Sequence, residues 1–261
     1  MKQQDSFWVW TGAAGAALVA VAIGVYYFYQ RDRGPDLSEP VAVEAPSIAT
    51  ADSPPPIAVE TTPPEPAIPL PPLDESDPEV QGGFVEVFGR EAVQQFLVPE
   101  RIVRHIVVTL DNMPRERMAL QQRPVQPTPG DFVATGPEDA LVLAPENYAR
   151  YKPIVTAIGT ADAKTLVSLY RGLQPLFQQA YEELGQPNSL FNTRLLEIID
   201  HLLSTPDLTG PIRLVQPGVF YKYADKDTEA LSSGQKLLIR MGPENAAIIK
   251  TKLREIQAEL I

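Results

Sequence analysis

Arg194, Glu197 and His201 follow one another at i, i+3 and i+7 in a stretch of helical apolar period, with Asp200 three residues after Glu197. On a helix that spacing lines up Arg194, Glu197 and His201 along one stripe. A carboxylate beside a histidine is the pair that general acid–base chemistry uses, provided both face a cleft. The plainer reading, which we prefer, is a surface Arg194–Glu197 ion pair with His201 as its solvated neighbour, worth about 0.3 kcal/mol. Glu182 and Glu183 are adjacent and so diverge by roughly 100° on a helix, which makes them a solvated face rather than a catalytic pair.

Three aromatic-polar groups offer recognition instead of catalysis. They are Tyr148, Arg150 and Tyr151; Gln178, Tyr181 and Glu182; and Tyr221 with Tyr223. Tyrosine combines a large apolar ring with a polar tip, which suits contact with glycans or peptides. Packing in a core with satisfied hydroxyls is the plainer alternative. The speculative binding set is therefore these residues together with Arg194, Glu197, Asp200 and His201, and no catalytic residue is assigned. The sequence contains neither phosphate-binding glycine motif, no G-x-S-x-G and no H-E-x-x-H. With no cysteine and only His105 and His201, it suggests no metal centre and no cofactor.

The elements that must hold these residues read as mainly α: a helical bundle-like domain with one or two short β-hairpins. Asp77-Pro78-Glu79 reads as a helix start with a capping acid, and Pro99 as a second start before the apolar stripe Ile102, Val103, Ile106, Val107 and Leu110. His105 lies beside Arg101 and Arg104 on that helix's polar side. Residues 132–134 and 141–143 read as one hairpin, residues 212–215 and 219–223 as another. Between them a long helix is expected over 162–184, kinked or split by Pro175 and ended by Gly185. Asn188 or Ser189 caps the next helix, 191–203, and Pro206 stops it. Two closing helices follow over 233–241 and 243–260, the last with Ala246, Ile249, Leu253, Ile256 and Leu260 in register.

Ahead of this domain the composition changes twice. Residues 7–29 are 23 in a row without a charge, bounded by Phe7, Trp8 and Trp10 at one end and Tyr26, Tyr27, Phe28 and Tyr29 at the other. At about 1.5 Å per residue they reach roughly 34 Å, enough to cross a hydrocarbon core of about 30 Å with aromatic belts at both interfaces. The expectation is a single N-terminal transmembrane helix in the lipid bilayer within an anchor of residues 1–33, in preference to a cleaved signal peptide. Gly12, Ala16, Ala20 and Gly24 recur every fourth residue and allow weak self-association, although Gly and Ala are so frequent here that the pattern follows from composition. Residues 34–73 hold twelve prolines and no Lys or Arg. They read as a disordered acidic linker that, stiffened towards polyproline II at about 3.1 Å per residue, reaches roughly 120 Å. Residues 74–261 form the globular domain.

The formal net charge of −11 belongs to that middle region. Residues 34–89 carry eleven acids and no base, whereas residues 90–261 carry 19 bases against 20 acids. No dense basic patch exists to neutralise phosphates, so nucleic acid is not an expected partner.

Several segments resemble the bacterial domain-of-unknown-function family 3014: PERIVRHIVVTLDNMPRE from Pro99, NYARY from Asn147, PLFQQAYEELG from Pro175, FNTRLLEIIDHLL from Phe191, GPIRLVQPGVFYKYAD from Gly210 and SGQKLLIRMGPENAA from Ser233. The resemblance spans roughly Leu70 to the C-terminus and implies a bacterial, Gram-negative envelope protein. It implies no activity, cofactor or catalytic residue. The expectation is a single-pass inner-membrane protein that presents a helical binding domain in the periplasm to an envelope protein or cell-wall polymer. The alternatives are a membrane-tethered envelope hydrolase using Glu197, Asp200 or His201, and a cytoplasm-facing scaffold if the topology is inverted.

Overall fold

The computed structural model describes residues 70–116 and 122–261. The expected anchor, its Gly12 to Gly24 stripe and nearly all of the linker lie outside them. Among the described residues no helix is long and apolar enough to cross a membrane.

The chain opens with a 3-10 turn, Leu73–Glu75, followed by α1 (Asp77–Phe88), α2 (Arg90–Phe96) and α3 (Ile102–Asn112). Leu73, which the sequence assigns to the linker, is 5% exposed, and Leu70 packs against the same core. Burial of these two leucines extends the packed region a few residues ahead of Asp74. Helix α3 does not begin at Pro99 as expected but at Ile102. The preceding Arg101 takes a left-handed conformation (φ 49°), and Asp77 accepts from the N–H groups of Arg101 (2.7 Å) and Ile102 (2.8 Å). The capping acid read at the start of α1 therefore caps a different helix, because the first turns of α1 and α3 lie side by side.

Two hairpin strands, β1 (Ala134–Thr135) and β2 (Val142–Leu143), precede α4 (Glu146–Ala149) and α5 (Lys152–Thr160). Helix α6 (Ala163–Glu183) follows and runs unbroken through Pro175. The expected split does not occur. Pro175 and Gly172 both face solvent, so the Arg171 carbonyl that loses its helical partner can be hydrated. Asp162 caps α6 through the Thr165 N–H (2.7 Å), and Gly185 (φ 90°) takes the chain out of it.

Helix α7 (Phe191–Leu203) has the bounds that its apolar period predicts. Neither Asn188 nor Ser189 caps it. The Phe191 N–H donates instead to Gln178 Oε1 of α6 (2.8 Å), whose Nε2 donates to Ser189 O (3.0 Å). Strands β3 (Leu214–Val215) and β4 (Lys222–Tyr223), then α8 (Lys226–Ala230), α9 (Ser233–Arg240) and α10 (Pro243–Leu260), complete the order.

Helix α6 packs along α3 and α10, and α10 also lies on α5 and α7. Their apolar faces make one core. At its centre the Phe177 and Phe191 rings stack with centroids 5.7 Å apart, flanked by Tyr170 and Tyr181. The hairpins are antiparallel (Ala134 opposite Leu143, Leu214 opposite Tyr223) and meet through a bridge between Val142 and Arg213. Leu143, Leu214, Tyr223 and Ile239 bury a second, smaller core between this sheet and α9. The domain is thus mainly helical with two short antiparallel hairpins.

Candidate functional site

The α7 stripe is held against the end of α3. Arg194 Nε donates to Asp111 Oδ1 (2.9 Å), its second amine to the Asp111 carbonyl (3.3 Å), and its third nitrogen to Glu197 Oε2 (3.1 Å). Arg115 closes the other side of the same carboxylate at 2.6 Å. Asp111, 11% exposed at its side chain, is thus clamped by two guanidiniums, and Arg194 also neutralises the carbonyl end of α3. Burial works against the charged form of Arg194, but the hydrogen bonds to Glu197 and Asp111 outweigh it and raise its pKa. The Arg194–Glu197 pair expected on the surface is present, as the outer edge of a larger network.

His201 and Asp200 do not join it. Asp200 Oδ1 accepts from Gln257 Nε2 of α10 (2.6 Å). His201 Nε2 lies 2.8 Å from Ser232 Oγ, and its pKa is lowered by burial and then by Arg194. A serine hydroxyl beside a neutral imidazole has the composition of a nucleophile and its base. Here the serine is committed to structure: Ser232 Oγ accepts from Gln235 N–H (3.2 Å) in the capping box of α9. The next two N–H groups, which could otherwise hold an oxyanion, donate to Arg115 O (2.8 Å) and Met113 O (3.0 Å). Gly234 lets this junction close, since a Cβ there would meet Leu202 Cδ2 at 2.6 Å and the Met113 carbonyl oxygen at 3.2 Å. Glu197, Asp200 and His201 therefore point to three separate partners.

The tyrosines do not converge on one groove. Tyr151 (2% exposed) and Tyr181 (4%) lie in the main core, and Tyr223 (4%) lies in the small core with its hydroxyl donating to Lys236 O (3.2 Å). Tyr148 and Tyr221 are half-buried and pack against that small core, while the Tyr148 ring covers Gly242. Arg150 ties down the segment before β1 through Pro129 O (3.1 Å) and Asp131 O (3.0 Å). Gln178 is the cap of α7 described above, and Glu182 accepts from it (2.9 Å). Glu183, expected to be solvated, binds Arg104, which also holds Asp74. Tyr148, Tyr221 and Tyr223 gather at the small core and Tyr151 and Tyr181 in the main one, so the five rings line no common groove.

Sequence reasoning missed the site's inner partners. Asp111 and Arg115 stand at i, i+4 and could have been read as a pair, whereas their meeting with Arg194 is a contact across helices. Lys250 carried a visible signal, a lysine inside the Ala246–Ile249–Leu253 stripe. Its side chain is 7% exposed, and Nζ donates to Thr205 O (2.7 Å) and Asp207 Oδ1 (2.6 Å). It lines a small cleft, partly open to solvent, between residues 205–212, α9 and α10. Lys252 is buried likewise on Ala161 O and Glu255. Among the described residues no three His, Asp or Glu side chains gather as metal ligands.

No curated protein and no solved structure matches the chain. A family model does match, over residues 102–257, which takes in α3 through most of α10 and every side chain of the site described above except Asp74. The chain belongs to the family described as protein of unknown function (DUF3014).

Proposed function

We propose that this protein is a single-pass inner-membrane protein whose helical domain stands in the periplasm on a stiff acidic tether and binds an envelope protein or cell-wall polymer without chemistry. The observation that carries the binding reading is the dispersal of Glu197, Asp200 and His201 onto Arg194, Gln257 and Ser232. Acid–base chemistry needs such groups to share a cleft. The address rests on the uncharged residues 7–29 and the proline-rich acidic stretch that follows them. A C-terminal fusion to alkaline phosphatase, which folds only outside the cytoplasm, tests the orientation. Phosphatase activity is expected; fluorescence from a fusion to a reporter that folds only in the cytoplasm would overturn the periplasmic assignment.

A further inference from the structure

The cleft beside Lys250 has apolar walls, formed by Leu208, Ile212, Leu238 and Ile239, and one cation. The Lys250 ammonium has three donors, of which Thr205 O and Asp207 Oδ1 take two. Its counterion is displaceable, because the Asp207 side chain is 90% exposed and moves into water at no desolvation cost. The Lys250 hydrogen bond and charge, with a further contribution from Arg254, hold the Asp207 carboxyl below the usual aspartate range. Arg254, one turn beyond Lys250 and exposed, forms no ion pair of its own among the described residues. Two cations therefore face one carboxylate at the mouth of an apolar cleft, leaving one positive charge in excess.

We propose that this cleft binds a small amphiphilic carboxylate, whose anionic group joins or displaces Asp207 on Lys250 while a short apolar body lies on Leu208, Ile212, Leu238 and Ile239. A monoanion fits better than a phosphate, since further charged oxygens would be stranded against leucine and isoleucine. The enclosed space is small, about 30 Å³, so the carboxylate end enters it while the short apolar body lies along its open rim. The inference rests on the binding reading of the domain and not on its membrane address, so either can fail alone.

The test is methyl NMR on the full chain in lipid nanodiscs, with N-acetyl-leucine as probe and the uncharged N-acetyl-leucinamide as control. Saturable shifts are expected at the four wall residues, with Kd on the order of 1 mM for so small a ligand. Lys250→Met, which keeps the buried stem and removes the charge, should abolish them, and Arg254→Gln should weaken binding. Asp207→Asn, at an exposed position with little risk to folding, should tighten binding about threefold to tenfold by removing a tethered competitor. Equal shifts with the amide, no saturable shift with the acid, or weaker binding in Asp207→Asn would overturn the proposal.

Discussion

Asp111 and Asp207 each neutralise a cation across two elements, and they do so with opposite geometry. At Asp111 the carboxylate is the buried partner, 11% exposed, and Arg194 and Arg115 reach it from outside at 25% and 60%. At Asp207 the cation is buried, Lys250 at 7%, and the carboxylate stands 90% exposed. A buried carboxylate with both oxygens engaged has no replacement for its partners when one is lost. An exposed carboxylate can yield its place to water or to another anion. The first arrangement locks α3 to α7; the second leaves an exchangeable ligand on a fixed ammonium.

The largest effect expected from this contrast is that of Asp111→Ala. It leaves the partly buried Arg194 with only Glu197 and the main-chain carbonyl, unlocks α3 from α7, and should cost about 2–3 kcal/mol in denaturant unfolding at neutral pH. A loss below about 0.5 kcal/mol would place the network among ordinary surface pairs.

A smaller effect separates the two ends of α7 by pH. Arg194 keeps its charge throughout, whereas His201 and His105 both have folded-state pKa values below the ordinary histidine value, in each case mainly through burial. Their unfolded forms take up protons first, so stability is complete above about pH 6.5 and declines as pH falls towards the folded-state values. At His201 the loss falls on the Ser232 hydroxyl that caps α9; at His105 it falls on a buried Nδ1 without a hydrogen-bond partner among the described residues. Unfolding followed between pH 7 and pH 5 should show declining stability, less steeply in His201→Gln. Stability rising on acidification would contradict the assignment.

The helices were legible where one side of a single element decided the matter. Residues 191–203 alternate apolar and polar positions at helical period, and Gly185 and Pro206 punctuate the ends, so the bounds of α7 follow from local sequence. What lay across elements was not legible. Asp77 caps α3 from 24 residues away, and Gln178 caps α7 from the preceding helix, where a local reading could propose only Pro99, Asn188 or Ser189. Pro175 does not split α6, because its cost depends on which face of the helix it occupies, and solvent lies on that face. Of the candidate site, the Arg194–Glu197 pair followed from helical spacing. Asp111, 83 positions before Arg194, did not, and neither did the Ser232 partner of His201. The tyrosines share a chemistry that suits both recognition and cores, and only burial distinguishes Tyr181 from a groove residue.

Double-mutant cycles on the two pairs, measured by denaturant unfolding in one buffer, test the contrast most directly. A coupling of about 2 kcal/mol or more is expected between Asp111 and Arg194, and below about 1 kcal/mol between Asp207 and Lys250. Equal couplings, or a stronger one at Asp207, would contradict the division into a closed lock and an exchangeable site.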